Sequence, residues 1–318
     1  MSLIERSGLA YSHSFLLHET GPAHPDQPAR VGFIYETLGD VGLLKVLKKI
    51  DFEAVDEEAL APIHDAEYVS LVTQICSEGG GFLDIDTPVS GKSCDVALLA
   101  VGAVLAACDA VAGTEVANAF CPVRPPGHHA THTRGMGFCL FNNVALAARH
   151  IQSALGRERV MIVDWDVHHG NGTQMAFYSD PTVFYFSMHQ EAHYPGTGWP
   201  EEMGEGDGRG YTLNCPLPVG AGDEEAIRIF ETRFRDAADF FSPEFILISA
   251  GFDGHAKDPL SRINMTEGGF RRLTEIVCEA AAAHCRGRVV SALEGGYHLP
   301  ALAASVTAHL EAFVKAAG

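Results

Sequence analysis

The chain has 318 residues, of which 47% are hydrophobic and 20% are charged. These values are ordinary for a globular protein, and they exclude a disordered, collagen-like or coiled-coil chain. Its 22 Lys and Arg residues against 41 Asp and Glu residues give a net charge of −19, which would repel phosphate backbones at long range. We therefore expect no direct nucleic-acid partner. The same charge would attract a cationic ligand, although acidic surfaces most often serve only solubility.

The length exceeds the usual limit for one core, yet large α/β enzymes reach it as a single unit, and we expect one large domain. The longest charge-free apolar stretch, 96–108, is shorter than the roughly 18 to 20 residues that span a bilayer. The first seven residues lack the apolar region of a secretory signal. We therefore expect no membrane span and a cytoplasmic location. The eight cysteines include no C-x-x-C pair, and we expect reduced thiols in the core.

Short apolar runs alternate with longer segments of helical spacing along the chain. The runs predict strands at 116–123, 160–165, 183–188, 245–249 and 288–293. The longer segments predict helices at 93–112, 142–155, 223–241, 266–284 and 299–316. Because parallel strands need crossover helices, this alternation predicts a doubly wound or barrel-like α/β fold. Ligands in such folds bind beyond the carboxyl ends of the strands.

Local signals indicate where two of the predicted helices begin, and two further segments are predicted to be loops. Thr266 is a capping residue before a helical run, and Pro300 lies in the first turn of the last predicted helix. The segments 12–27 and 189–210 show no regular pattern. Long loops inside a compact domain are usually functional, so we expect both at the rim of a site.

The most informative segment is the strand end Asp164-Trp-Asp166-Val-His168. Alternate side chains of an extended backbone point to one face, so the two acids and the histidine converge. This pattern is typical of metal ligands; the alternative is a strand end whose acids only cap the next helix. Asp253 follows another buried strand, and with Asp166 and His168 it would supply three ligands and leave one position open. Zn²⁺ fits this set best, and Fe²⁺ or Co²⁺ would also fit.

Two further strand ends carry candidate catalytic side chains. His128 and His129 follow the first predicted strand, on a turn rich in proline and glycine. Adjacent imidazoles raise each other's cost of protonation, which holds one of them near neutrality, where a general base works best. Tyr297 follows the last predicted strand, and a phenol beside a metal can donate to the oxyanion of a tetrahedral intermediate. Exposed loop histidines and an ordinary core tyrosine are the alternatives.

Five motifs follow one another along the chain, namely R-P-P-G-H-H, G-F-C-L-F-N-N, D-W-D-V-H-H-G-N-G, G-F-D-G-H-A-K-D-P-L and L-E-G-G-Y. Together they resemble the histone deacetylase family, particularly its class II members and the bacterial deacetylase-like amidohydrolases. The resemblance runs from about His24 to the last helix. It implies an arginase/deacetylase fold for residues 1–318, with a central eight-stranded parallel sheet flanked by helices and the active site at the carboxyl ends of the strands.

The resemblance implies two metal sites at these strand ends. One zinc ion per chain would be held by Asp166, His168 and Asp253. A structural potassium ion would have ligands from Asp164, Asp166, His168, Ser187 and the carbonyl of Met188. The strand end at 164–168 would therefore serve both ions.

The resemblance also implies amide hydrolysis by a metal-activated water. His129 would be the general acid/base, His128 would tune the site electrostatically, and Tyr297 would donate to the oxyanion. Asp164 would orient His128, and Asn171 would orient His129. Asparagine at this position is the class II pattern, so His129 should be less strongly biased towards its cation.

The implied substrate site takes an acylated lysine of a peptide or protein, or a small acylated amine. Phe138 and Tyr194 would flank a narrow tunnel for the aliphatic stem, with the Gly137 carbonyl accepting the amide N–H. Asp86 would grip the substrate backbone at the rim. Leu260 stands where relatives specialised for acetylated polyamines carry a glutamate, and an apolar residue offers no partner to an internal cation. Phe138, Tyr194 and Leu260 could equally be core packing.

Three rival interpretations stay open. The nearest is an acetylpolyamine amidohydrolase, because a net charge of −19 would steer cationic substrates inward. A two-manganese ureohydrolase of the arginase type needs acids where this chain has Gly170 and His255, so one metal is expected. A pseudo-enzyme that only binds acylated amines would have lost a ligand or Tyr297, and neither is lost. The sequence leaves the acyl length and the oligomeric state open.

Overall fold

The computed structural model describes residues 7–318. Residues 1–6, which hold the start of the expected domain and most of the N-terminal segment considered above, lie outside the described residues. The strands are β1 (Ser7–Leu9), β2 (Lys48–Lys49), β3 (Gly80–Asp84), β4 (Thr87–Ser90), β5 (Asn118–Cys121), β6 (Val160–Asp164), β7 (Val183–Gln190), β8 (Thr212–Leu217), β9 (Phe245–Ala250) and β10 (Val289–Leu293).

The α-helices are α1 (Ala29–Asp40), α2 (Ala66–Ser77), α3 (Ser93–Ala112), α4 (Asn143–Ser153), α5 (Asn171–Phe177), α6 (Asp223–Ile229), α7 (Arg235–Phe241), α8 (Glu267–Cys285) and α9 (Leu299–Ala317). A π-helical segment, Phe230–Phe234, joins α6 to α7. Short 3₁₀ helices lie at His13–Leu17, Leu43–Lys45, Glu57–Leu60 and Gly206–Gly208.

Eight strands form one parallel sheet in the order β2-β1-β5-β10-β9-β6-β7-β8. All of its neighbouring strands pair in parallel, whereas β3 and β4 form a separate antiparallel hairpin. The last two strands, β9 and β10, therefore enter between β5 and β6. This arrangement confirms the predicted α/β fold with a central eight-stranded parallel sheet. It also brings four strand ends from distant parts of the sequence to the middle of one sheet edge.

The central strands read as apolar runs because helices cover both faces of the sheet. Every residue of β5, β6, β7, β9 and β10 is buried. On the covering helices, α8 packs against α9 and α9 packs against α1. Side chains on both faces of the strands thus contribute to the core.

Helix α3 is the described helix that has the length and composition of a membrane span. Because the longest stretch of this helix without charged residues is 96–108, the sequence predicted no segment long enough to span a membrane. In the structure 67% of its most apolar window is buried inside the protein. That burial is typical of a core helix.

The five predicted strands and the five predicted helical regions are present, and several smaller elements were missed. The missed elements are β1, β2, β8, the β3–β4 hairpin, α1, α2 and α5. Strand β8 contains Asn214 and Pro216, so it lacks a continuous apolar run, and as an edge strand it tolerates proline. The predicted helix 223–241 is divided by the π-helical segment.

The predicted helix ends and cysteine states agree with the structure. The Thr266 side chain accepts a hydrogen bond from the backbone of Gly269, and Pro300 lies in the first turn of α9. All eight cysteines are buried and free. The first of the two expected loops contains the 3₁₀ helix His13–Leu17, and the second contains Gly206–Gly208.

Candidate metal centre and active site

The candidate site lies beyond the carboxyl ends of β5, β6, β9 and β10. Each of these strands leads directly into one functional segment, and the four segments are 124–129, 164–168, 251–255 and 294–297. The strands are in register, with Asp164 beside Ser249 and Ser291 beside Phe120. Because all four run parallel, their ends meet at one edge of the sheet, where ligands bind in open α/β folds.

Asp166, His168 and Asp253 bring one potential ligand atom each to within 4.8 Å of one another. His168 Nδ1 lies 3.1 Å from Asp166 Oδ1 and 3.0 Å from Asp253 Oδ2. All three residues are buried. Two carboxylates and one imidazole nitrogen form a donor set that suits Zn²⁺ and leaves a position for substrate or water. Two buried carboxylates side by side also need a cation to offset their repulsion, so the residues present fit the ion.

The metal-site carboxylates are held in place by backbone N–H groups from neighbouring strand ends. Gly295 N donates to Asp166 Oδ2 at 2.7 Å, and Val167 N donates to Asp253 Oδ1 at 2.9 Å. A Cβ at Gly251 would collide with the Asp166 carboxylate, and one at Gly295 would collide with the Asp253 carboxylate. Glycine is thus required where the backbone approaches the two acids so closely.

The two adjacent histidines are oriented by different partners. The rings of His128 and His129 lie 4.0 Å apart between centroids. His128 Nδ1 lies 3.0 Å from Asp164 Oδ2, an oxygen that also accepts from the Tyr185 hydroxyl at 3.0 Å. His129 Nδ1 lies 2.8 Å from Asn171 Oδ1. When His129 Nδ1–H donates to Asn171 Oδ1, the Nε2 atom of this neutral ring is left as the proton acceptor.

The surroundings of His128 and His129 drive their charges apart. Burial alone would lower the pKa of His128, but the nearby carboxylates Asp164, Asp166 and Glu294 raise that pKa to about 10. For His129, burial and the neighbouring His128 hold the pKa well below its usual range. The pair therefore combines a cationic imidazole with a neutral one, the state that a general base requires.

Tyr297 lies beside the metal-site residues as a protonated phenol. Burial, followed by the charge of Asp253, raises the pKa of Tyr297 well above its ordinary value. The Arg30 guanidinium lies 4.9 Å from the centroid of the Tyr297 ring, and the Phe138 ring meets it edge-on at 5.8 Å. A phenol that keeps its proton can donate a hydrogen bond to a developing oxyanion.

Phe138 and Tyr194, which the resemblance assigns to the substrate tunnel, contact different residues of the candidate site. The Tyr194 ring lies 5.1 Å from His129 and 6.1 Å from His168, whereas Phe138 contacts Tyr297. Phe138 has a φ of +69°, which an aromatic residue rarely adopts. Its N–H donates to Thr87 Oγ1 at 3.1 Å, and such contacts hold strained residues at functional sites.

The other three predicted substrate residues already make bonds within the protein. Asp86 Oδ1 accepts from Gly137 N at 3.1 Å, so the rim aspartate connects the β3–β4 hairpin to the loop at Phe138. The Gly137 carbonyl accepts from the Cys139 thiol at 3.4 Å. The Leu260 carbonyl accepts from His193 Nε2 at 2.9 Å. One oxygen of Asp86 is thus occupied by the loop.

The sheet brings two of the residues expected around a potassium ion side by side. Ser187 in β7 pairs in register with Asp164 in β6, and the buried Met188 follows it. The Ser187 hydroxyl lies 2.8 Å from His189 Nδ1. The strand register therefore places Ser187 next to Asp164 at the end of β6, two residues before Asp166.

A buried ion cluster behind the site was missed by the sequence analysis. Asp26 Oδ1 lies 2.6 Å from Arg30 Nη1 and 2.9 Å from Arg124 Nε, and none of these three side chains is exposed. Arg30 also donates from Nε to the Gly296 carbonyl at 2.6 Å and from Nη2 to the Glu294 carbonyl at 2.5 Å. Arg124 opens the motif that contains the histidines, which was the available signal; Asp26 and Arg30 stand in no motif.

Glu294 and His193 were likewise not assigned a role. Glu294 Oε2 accepts from Gly127 N at 2.7 Å and from His128 N at 3.2 Å, which fixes the backbone of the histidine pair. Burial raises the pKa of Glu294 to about 7. His193 stacks on His168 at 4.9 Å. Glu294 stood in the L-E-G-G-Y motif as a polar residue after a buried strand, a signal that could have found it.

Comparison with known proteins agrees with these motifs. The family model described as "Histone deacetylase domain" matches residues 24–313. A "Probable deacetylase" of Archaeoglobus fulgidus is 40% identical over 294 residues, which cover 92% of this chain and 81% of that protein. The "Polyamine deacetylase HDAC10" of Homo sapiens is 39% identical over 307 residues, which cover 92% of this chain and 45% of that protein.

A solved structure gives the same result. The crystal structure of the HDA15 HD domain matches this fold with a TM-score of 0.92 and 35% sequence identity, and the match covers 98% of this chain and 90% of that chain. The resemblance inferred from the five motifs is thereby confirmed, and the chain belongs to the histone deacetylase family.

Proposed function

We propose that the protein is a zinc-dependent amidohydrolase that removes acetyl or other acyl groups from the side-chain amine of acyl-lysine. The observation that carries this proposal is the convergence of the buried donor set Asp166, His168 and Asp253 with a neutral His129 and a protonated Tyr297. Membership of a family of deacetylases and amidohydrolases supports the hydrolase class.

The chemistry divides between the ion and the side chains around it. A zinc ion held by the donor set would supply a Lewis acid for the acyl carbonyl and a water that is nucleophilic at neutral pH. His129 Nε2 accepts the proton of the attacking water, because Asn171 engages Nδ1. His129 then returns this proton to the leaving nitrogen, so that amide and water become a carboxylic acid and an amine.

Tyr297 and His128 stabilise the charge that develops during the reaction. The Tyr297 hydroxyl donates to the carbonyl oxygen as it becomes negative. The His128 cation, held by Asp164, adds positive charge beside the same centre. Neither group needs to change its protonation state for this role.

The proposed substrate is an acyl-lysine because the groups assigned to its stem are apolar. Phe138, Tyr194 and Leu260 offer contacts to methylene groups, while the Gly137 carbonyl accepts the amide N–H and Asp86 binds the substrate backbone. An acetylated polyamine is the second candidate, supported by the net charge of −19. Leu260 weighs against it, since an internal ammonium would meet no charged partner there.

We propose a structural potassium ion beside the zinc site as well. Its ligands would be oxygen atoms of Asp164, Asp166, His168, Ser187 and Met188. The register of β6 against β7 supports this assignment, because it aligns Ser187 with Asp164. An ion here would stabilise the strand end that carries two of the proposed zinc ligands.

Steady-state hydrolysis by the zinc-loaded protein tests the proposal. The substrates are a panel of acetyl-lysine peptides, acetylputrescine and acetylspermidine, and the control is Tyr297→Phe. We expect the peptides to be hydrolysed much faster and the variant to be nearly inactive but folded. Faster hydrolysis of the acetylated polyamines would refute the acyl-lysine assignment. Zinc binding without hydrolysis of any substrate would refute the proposal that the protein is an amidohydrolase.

A further inference from the structure

We infer that Asp258 is a positioning residue that fixes Tyr297 and ties it to the loop of Leu260. The inference rests on the proposed function, in which Tyr297 donates to the oxyanion. Asp258 lies in the loop after β9, five residues beyond Asp253, whereas Tyr297 lies in the loop after β10. The Asp258 carboxylate would therefore fix the position of the Tyr297 hydroxyl relative to Leu260, which is expected to line the substrate site.

Both oxygens of Asp258 accept hydrogen bonds, and they accept from different loops. Oδ2 accepts from Tyr297 N at 2.7 Å and from His298 N at 3.3 Å. Oδ1 accepts from Leu260 N at 3.0 Å. Asp258 is 8% exposed, so water competes little for these bonds. A buried carboxylate with three N–H donors is a strong and specific link.

The peptide group between Gly296 and Tyr297 is hydrogen-bonded at both ends, and we call these two bonds the clamp. Arg30 Nε donates to the Gly296 carbonyl at 2.6 Å, and Asp258 accepts from the N–H of Tyr297 at the other end of the same peptide bond. Gly296 has a φ of +124°, and Gly295 precedes it. Two successive glycines give this segment little stiffness of its own, because glycine loses the most conformational freedom when it is fixed.

The position calls for an aspartate rather than an asparagine. Both oxygens of the side chain meet N–H donors, so an amide would place its NH₂ group against a donor on one side. The His298 N–H also lies at the start of the 19-residue helix α9, where a negative charge is favoured. An asparagine side chain in place of Asp258 can accept on one side only, so in either orientation it no longer holds Tyr297 and Leu260 together.

Loss of the clamp should displace the phenol while the metal-site residues stay in place. A displacement of about 1 Å at a reacting group can cost about 10²-fold in rate. We therefore expect Asp258→Asn to lower kcat for an acetyl-lysine peptide by about 10- to 100-fold. KM and the zinc content should change little. A purely structural link would instead lower the Tm without changing kcat of the folded protein.

A trifluoroacetyl-lysine peptide separates the two explanations. The fluorine atoms withdraw negative charge from the tetrahedral oxyanion. Hydrolysis of the trifluoroacetyl peptide therefore depends less on a hydrogen-bond donor to that oxyanion. Asp258→Asn and Tyr297→Phe should both slow the acetyl peptide far more than the trifluoroacetyl peptide. In the Tyr297→Phe background, Asp258→Asn should slow the acetyl peptide by less than about threefold, because residues that act through one another are not additive.

Asp223→Asn is the matched control. Asp223 also connects two elements, since it accepts from Thr266 N at 2.8 Å and from Thr266 Oγ1 at 2.6 Å at the start of α8. Its loss should lower the Tm and leave the ratio of the two rates unchanged. If Asp258→Asn does not fold, Asp258→Glu takes its place: it keeps the charge but displaces the oxygens by one methylene, and the same shift of the ratio is expected.

The outcomes distinguish this inference from the proposed function. If Asp258→Asn slows both peptides equally, or if its effect adds fully to that of Tyr297→Phe, the positioning role is wrong although the enzyme assignment stands. If the wild-type protein hydrolyses neither peptide, the proposed function fails and this inference fails with it.

Discussion

Two parts of the candidate site are built in different ways. The metal-site cluster comprises Asp166, His168, Asp253, His128 and His129. The rim cluster comprises Asp86, Gly137, Phe138, Tyr194 and Leu260. Residues of the first cluster follow buried strands and are at most 8% exposed. Residues of the second lie on loops and on a hairpin that meet only in the folded protein, and two of them have positive φ angles.

This difference indicates which residues should determine catalysis and which should determine the choice of substrate. The metal-site cluster is fixed by the sheet, since strand register and backbone N–H groups determine where each side chain lies. The rim cluster is fixed by bonds between loops, such as Asp86 to Gly137 and His193 to Leu260. Changes in the metal-site cluster should therefore abolish activity, whereas changes at the rim should redirect it.

Loss of a proposed metal ligand should have the largest effect. Asp253→Asn keeps the shape of the side chain and an acceptor for Val167 N but removes a negative ligand, so we expect no stoichiometric zinc and no detectable hydrolysis. Zinc should also no longer raise the Tm, as it should for the wild type. The control Asp84→Asn, which breaks a partly exposed ion pair with Arg134, should retain zinc. A fully metallated and active Asp253→Asn would contradict the assignment.

Tyr297→Phe should have the next largest effect on activity. The variant loses one oxyanion donor, which should lower kcat by about 10² to 10³-fold with little change in KM. Zinc content and Tm should match those of the wild type, because the ring and its contacts are retained. A wild-type kcat would show that the phenol takes no part in the reaction.

Asp26→Asn should destabilise the protein rather than slow its reaction directly. It leaves Arg30 and Arg124 buried without their counter-charge, which should lower the free energy of unfolding by about 3 to 5 kcal/mol. Burial would raise the pKa of Asp26, but the two arginines outweigh it and hold the pKa below its ordinary value of 3.8. This stabilisation is therefore present above pH 3.8 and is lost as the pH falls further.

Urea unfolding across pH measures this effect. The wild type should lose more stability than Asp26→Asn as the pH falls below 3.8. Glu311→Gln, which breaks the exposed ion pair with Arg271, is the control and should cost less than about 1 kcal/mol. Equal losses in Asp26→Asn and Glu311→Gln would show that the buried cluster contributes no more than a surface pair.

The smallest expected effect lies at the rim. Leu260→Glu would place a carboxylate where an internal ammonium of a polyamine could meet it. We expect the ratio of kcat/KM for acetylspermidine to that for an acetyl-lysine peptide to rise about fivefold, which corresponds to about 1 kcal/mol for a partly exposed ion pair. Leu260→Gln controls for size without charge. An unchanged ratio would mean that Leu260 does not face the substrate stem.

The five strands were predictable because they follow from local periodicity. Asp166 and His168 do come together, but β6 ends at Asp164, so both lie on bends after the strand and not on an extended backbone. The Asp164 side chain contacts His128 instead. The sequence also placed Asp253 and the histidine pair at strand ends, and the parallel sheet brings those ends together. Their functional roles stay predictions.

Other features depend on contacts between distant segments. Asp26, Arg30 and Arg124 are spread over almost 100 residues, and no periodicity connects them. The short strands β1 and β2 have too few residues for a pattern, and β8 is interrupted by polar residues and proline. The bond from Asp258 to Tyr297 likewise exists only because β9 and β10 are neighbours.

Titration of metal-free protein with Zn²⁺, followed by hydrolysis of an acetyl-lysine peptide, tests the central claim most directly. The donor set predicts that activity rises linearly and reaches a plateau at one zinc ion per chain. Activity without added metal, or a plateau only at two ions per chain, would contradict a site of one zinc ion held by Asp166, His168 and Asp253.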